Sequence, residues 1–234
     1  MLPEDRKSFL AELDRAVLPI RDKAVNHRLL EELIAGTLPV HKVRDFVGQF
    51  YYRIRDVPNR RMAIAQLISE FTDEQDEAKK LCIQIALEEV GHHQLLLKAC
   101  GALGIDVDGL VQGKDLRYET QRELAWQSWL IEHGSPIEPA ATIVYAYPTT
   151  CVRLFPKMRD GLIKHYGLSE DDAEYFHMHG PVEAHQVEMG KKIVGLLAVT
   201  EEDKRKAIER ATVALEQFIW WADRIYEADG IRTI

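Results

Sequence analysis

Apolar residues recur at steps of three and four along almost the whole chain, and that period leaves little room for anything but helices. Phe9, Leu10, Leu13 and Val17 share one face of a helix read over residues 4–16. Leu29, Leu30, Leu33 and Ile34 make a second, with Gly36 placed to cap its end. Pro39 opens a third, which runs to about residue 55 and turns Val43, Phe46, Val47, Phe50, Tyr51 and Ile54 inward. After Pro58 a helix continues to about residue 70, and a long one is read over residues 73–103, with Leu81, Ile85, Leu95, Leu96 and Ala99 in its stripe. Residues 105–118 are looser. Further helices are expected over 117–132, from Pro139 to 166 with Gly167 as its cap, from the Ser169/Asp172 box to 197, and from the Thr200/Asp203 box to the C-terminal region. Sustained period-two alternation, the mark of strands, is missing. No repeat and no linker breaks the pattern, so the expectation is one all-α domain, a helical bundle over residues 1–234.

Composition excludes several classes of function. With 46% hydrophobic residues and a net charge of −8 spread along 234 residues, the chain is neither disordered nor built to bind a phosphate backbone, so no nucleic-acid partner is expected. No apolar run approaches the ~18 residues of a membrane span, and the first residues lack the basic flank of a secretory signal. Cys82, Cys100 and Cys151 are odd in number and far apart; they make no disulfide framework and suit a reducing cytoplasm as buried apolar residues.

Two clusters carry chemistry. In Glu88-Glu89-Val90-Gly91-His92-His93, Glu89 and Glu88 lie three and four residues before His92, so either puts a carboxylate and an imidazole on one helix face. That is the E-x-x-H arrangement which di-iron bundles turn into their cores. The alternative is a solvated acidic pair beside a surface histidine. In Tyr175-Phe176-His177-Met178-His179-Gly180-Pro181-Val182-Glu183-Ala184-His185-Gln186, three of the nine histidines fall within nine residues. His179 and Glu183 share a face. His185 lies off it unless a bulge near Pro181 rotates the helix, whereas Gln186 points the right way.

The chain resembles the heme-oxygenase-like superfamily of thiaminase II and pyrroloquinoline-quinone synthase. Within it, it is most similar to the heme-oxygenase-like di-iron oxidases, the branch of the chlamydial protein associating with death domains. The likeness rests on Gly36-Thr37-Leu38 with Phe46-Val47-Gly48-Gln49-Phe50-Tyr51-Tyr52, on Glu88-Glu89-Val90-Gly91-His92 with Ala102-Leu103-Gly104-Ile105, on Tyr145-Ala146-Tyr147 with Phe155-Pro156-Lys157 and Tyr166-Gly167, and on Tyr175-Phe176 with His179, Glu183 and His185. It implies a bundle of about seven to nine helices, a homodimer, and iron (Fe2+), one or two ions. The ligands it implies are Glu89, His92, His179 and Glu183, with His185 one residue away from the last expected histidine. Two departures stand out: Pro148 occupies the place of a middle-helix glutamate, and Gln186 that of the last histidine. The implied function is an O2-dependent oxidoreductase with a non-heme iron site acting on a small organic acid or amine. The alternatives are a cofactorless oxidase like the quinone synthase and a degenerate, non-catalytic binding or interaction member.

Tyr145, Tyr147 and Tyr51, with Tyr52, are candidates to line the pocket or to donate hydrogen or electrons; packing inside the core is the other reading. Arg53, Arg55, Arg60 and Arg61 form a basic run that suits a substrate carboxylate or a solvated helix end. Phe218, Trp220, Trp221 and Tyr226 suit core packing or a dimer face, and His27 reads as structural.

Overall fold

The expected all-α architecture holds across residues 3–228, which the computed structural model describes, with the side chains of residues 181–183 set aside. The elements run α1 (Glu4–Val25), α2 (Arg28–Ala35), α3 (Val40–Ile54), α4 (Val57–Leu67), α5 (Asp73–Glu88), α6 (His92–Ala102), α7 (Val107–Val111) and α8 (Tyr118–His133). A single turn, α9 (Ile137–Pro139), leads into a π-helical stretch, Ala140–Ala146, and then α10 (Tyr147–Tyr166), α11 (Glu174–Leu197) and α12 (Glu201–Glu227) follow. No strand occurs among the described residues, and no helix among them is long and apolar enough to cross a membrane.

Most caps fall where the sequence puts them. Gly36 and Gly167 end α2 and α10 in the left-handed conformation, and Thr200 and Asp203 form a reciprocal capping box. Helix α1 outruns its expected end because Val17, Ala24 and Val25 keep its apolar face buried. Its Pro19 is exposed, and so is Arg15, whose carbonyl loses a donor to that proline; water can satisfy it. Ser169 and Asp172 make their expected hydrogen bonds, but a turn intervenes before α11 begins.

Two apolar clusters fill the interior. One joins α2, α3, α6, α10 and the ends of α11 and α12 through residues such as Leu30, Phe46, Leu96, Phe155 and Trp221. The other joins α1, α4, α5, the π stretch and the remainder of α11 and α12, with Leu13, Ile64, Cys82, Val144 and Ile193. Fully burying one such side chain contributes roughly 1.5–3 kcal/mol. Phe218 and Trp221 belong to this interior, so their packing reading holds.

Two expected helices are interrupted. The one read over residues 73–103 breaks at Glu89-Val90-Gly91, where Gly91 takes φ +89°, a conformation that disfavours a side chain. The one read from Pro139 widens into the π stretch. There Pro148 brings no N–H, and the hydroxyls of Thr142 and Thr149 hydrogen-bond to the carbonyls of Glu138 and Ala146. Both breaks border the site described next.

Candidate metal centre

The break between α5 and α6 is what aims the first two donors. Glu89 closes α5 and His92 starts α6, and the His92 N–H donates to the Glu89 carbonyl at 3.2 Å. The turn sets His92 Nδ1 3.3 Å from Glu89 Oε2. Sequence spacing left Glu88 and Glu89 open as partners; Glu88 instead accepts from Gln84. The third donor comes from α11, where fully buried His179 places Nε2 3.2 Å from His92 Nδ1 and 3.7 Å from Glu89 Oε2. Its Nδ1 lies 2.7 Å from the Tyr175 carbonyl. A carbonyl only accepts, so Nδ1 carries the hydrogen and Nε2 turns a lone pair toward the cluster.

These three side chains offer ligand atoms within 4.8 Å of one another. Donors about 2.1 Å from one ion and at roughly right angles lie about 3 Å apart, close to the spacing seen. Two imidazoles and one carboxylate are the facial set of non-heme Fe(II) oxygenases. The donors therefore fit one divalent ion.

Among the described residues, which leave out the Glu183 side chain, no donor group for a second ion stands beside them. Glu89 Oε1, the oxygen turned away from the histidines, accepts from Arg61 Nη1 at 3.1 Å and from Gln186 Nε2 at 2.8 Å. Arg61 Nη1 also donates to Gln186 Oε1 at 2.8 Å. Both side chains are buried. A guanidinium cation thus covers the outer oxygen of Glu89, and Pro148, on the pocket wall, offers no metal donor. Burial works to raise the Glu89 carboxyl, but the His179 and His92 imidazoles beside it and the charge of Arg61 outweigh it, holding the group well below the usual carboxylate range.

The other expected site residues separate. His185 is exposed, as is His177; α11 keeps its register and turns Gln186 inward, so the bulge that would have rotated His185 into the cluster is not there. The Glu183 side chain lies outside the described residues. Tyr145 sits in the second apolar cluster with its hydroxyl on Asp14 at 2.5 Å. Tyr51 packs edge-on against Tyr52 and near His93. Neither lines the pocket; Tyr147 does.

That pocket encloses about 690 Å³ of space, its open mouth included, and Glu89 forms part of its wall. Its lining is mainly apolar, with Phe50, Ile54, Leu154, Phe155 and Phe218, and it includes Arg53, Arg60 and Arg61. The solvated-helix-end reading of these arginines is corrected for two of them. Arg53 is buried and pairs with buried Glu123 at 2.7 Å, with aromatic rings of Tyr147, Phe218 and Trp221 around its guanidinium. The Tyr147 hydroxyl donates to Glu123 at 2.8 Å, and burial followed by that carboxylate keeps it protonated far above the usual tyrosine range. Arg61 is the buried partner of Glu89.

Sequence reasoning missed Glu123 altogether, and it turned Gln186 inward without giving it a partner. A signal existed for the first: Thr120, Glu123, Gln127 and Leu130 share the inward face of α8 at steps of three and four. Polar residues on an otherwise buried stripe mark an internal network.

Comparison with known proteins agrees with this architecture. A family model described as iron-containing redox enzyme matches residues 44–218. No curated protein matches the chain. Among solved structures, a TenA homolog from Pseudomonas syringae pv. tomato superposes with a TM-score of 0.83 at 13% identity, covering 97% of this chain and 94% of that one. A domain of unknown function with a heme oxygenase-like fold from Shewanella denitrificans gives 0.79 at 16% identity, covering 93% and 92%. A protein described as a TenA family transcription regulator from Silicibacter gives 0.70 at 16% identity, covering 94% and 97%. At these identities the likeness is one of fold.

Proposed function

The chain belongs to the family of iron-containing redox enzymes, and from that premise we propose that it is an O2-dependent oxidoreductase with one non-heme iron ion held by Glu89, His92 and His179. The observation that carries this reading is the convergence of two imidazoles on one carboxylate, Glu89, which also lines an apolar pocket. An Fe(II) ion on such a set supplies O2 binding and electron transfer beside an organic substrate.

The protein's own groups do the rest. The Tyr175 carbonyl fixes the tautomer of His179, and Arg61 with Gln186 fixes the outer oxygen of Glu89, so the ligands are oriented before any ion arrives. Phe50, Leu154, Phe155 and Phe218 exclude water and hold a small organic acid or amine. Tyr147 is a positioning residue in this scheme. Its hydroxyl is committed to Glu123, and it steadies the Arg53 side of the wall.

The test is anaerobic reconstitution of chelator-treated protein with Fe(II), followed by metal analysis. One iron per chain is expected, lost in His92→Ala and His179→Ala. A stoichiometry near zero overturns the iron reading, and two per chain overturns the single-ion form. Oxygen uptake by the loaded protein, screened over small acids and amines, then tests the oxidase activity itself.

A further inference from the structure

The pocket wall carries a charge that no ion pair among the described residues neutralises. Arg53 has Glu123 at 2.7 Å, and Arg61 has Glu89 at 3.1 Å. Arg60, the third arginine on the wall, has no carboxylate within ion-pair distance among the described residues. Asp56, close in sequence, pairs with Arg55 at 3.4 Å. Arg60 Nη2 donates to the Arg53 carbonyl, while its Nε–H is buried without an acceptor. Burial pulls this guanidinium down to about 10, as expected for a cation removed from water and short of counter-charge. An apolar cavity with one spare cation on its wall is complementary to a molecule with an apolar body and one negative end.

We propose that Arg60 binds the carboxylate of the substrate, so that the site takes a monocarboxylic acid whose apolar body lies among Phe50, Leu154, Phe155 and Phe218. The guanidinium offers donors in a planar fork that matches a carboxylate, and a desolvated pair of this kind discriminates strongly against neutral isosteres. The opposite choice, an amine, would need a free acceptor on the wall. The Thr150 hydroxyl on the wall is without a partner, but it is neutral and gives an ammonium no counter-charge; the carboxylate oxygen left without a partner belongs to Glu123, which is not part of the pocket lining. The inference rests on the functional reading above for the role of the pocket. It differs from a carboxylate bound directly to a metal, because it assigns the anion to a side chain.

The experiment uses 3-phenylpropanoate, 3-phenylpropanamide and 3-phenylpropylamine as probes, titrated calorimetrically into the metal-free and the Fe(II)-loaded protein under anaerobic conditions. The acid is expected to bind both forms about tenfold or more tightly than the amide or the amine. Arg60→Gln, which keeps a polar group but removes the charge, should erase that preference, and Arg60→Lys should restore part of it. Thermal melting of both variants checks that they fold. Equal binding of the three probes, tightest binding of the amine, or undiminished acid preference in Arg60→Gln overturns the proposal. Acid binding that needs iron and ignores Arg60 also overturns it, while leaving the iron reading intact. Acid preference through Arg60 in a protein that never takes up iron upholds it while the oxidase reading falls.

Discussion

Glu89 turns its two oxygens to different partners: Oε2 faces His92 and His179, and Oε1 is held by Arg61 and Gln186. A buried carboxylate of this kind persists only because it is paired and hydrogen-bonded. Gln186 is therefore the place to test whether the outer partners matter. Replacing it with Leu leaves Oε1 to Arg61 alone, and loss of such an orienting contact costs roughly 10–100-fold in metal affinity. Competition with a chelator of known affinity measures it, and unchanged affinity would refute the role. A second prediction concerns Cys82 and Cys100, whose thiols burial pushes from 9.0 up to about 12. Between those limits the unfolded chain loses thiol protons that the folded chain keeps. Folding then binds protons, and the thiol contribution, full below about pH 9, is lost as pH climbs toward 12. Urea unfolding across that window should show a flatter decline in the double Cys→Ala variant than in the parent; an identical slope would contradict the assignment.

At the scale of the elements, the two interruptions are held by glycines that meet different constraints. Gly91 supplies the positive φ that ends α5 and starts α6. Gly190 on α11 supplies room, because a Cβ there would sit 2.3 Å from the Val144 carbonyl oxygen in the π stretch. Gly190→Ala must push backbone against backbone, and overpacking of this kind costs about 1–3 kcal/mol. Gly101→Ala, exposed in the last turn of α6 with its nearest neighbour at 3.7 Å, should instead stabilise by about 0.4–1 kcal/mol. Chemical denaturation of the pair decides the matter, and a neutral Gly190→Ala would show that the π stretch yields. These same elements show how far the sequence could be read. Caps at Gly36, Gly167 and Thr200 were legible because each end is written in a few adjacent residues. The break at Gly91 was not, because Leu95, Leu96 and Ala99 continue the stripe of Leu81 and Ile85 beyond it. The grouping of Glu89, His92 and His179 was legible because only a handful of residue types can bind a metal. The inward register of Gln186 was legible too, but its pairing with Arg61 and the place of Glu123 were not, because only tertiary packing shows which polar side chains pair with one another inside.

At the scale of the whole molecule, ion-paired links largely removed from water help draw the helices together. Asp45–Arg117 and Arg53–Glu123 tie α3 to the start and the face of α8. Arg61, Glu89 and Gln186 tie α4 and the end of α5 to α11. The proposed metal adds a further link across the same seam, since its ligands come from the α5–α6 turn and from α11. The unfolded chain has no equivalent site, because Glu89 and His92 are distant in sequence from His179. Binding to the folded state alone stabilises it by about 2.7 kcal/mol when free metal is a hundredfold above its Kd. For a chain of this size each kcal/mol moves Tm by roughly 2–4 °C, so Fe(II), or Mn(II) as a redox-stable substitute, should raise Tm by about 5–11 °C. His179→Ala should abolish the rise while retaining the buried Arg61–Glu89 pair. A metal-induced shift that survives in His179→Ala would place the ion elsewhere on the acidic surface, and no shift at saturating metal in the parent would leave the three donors as a hydrogen-bonded cluster without an ion.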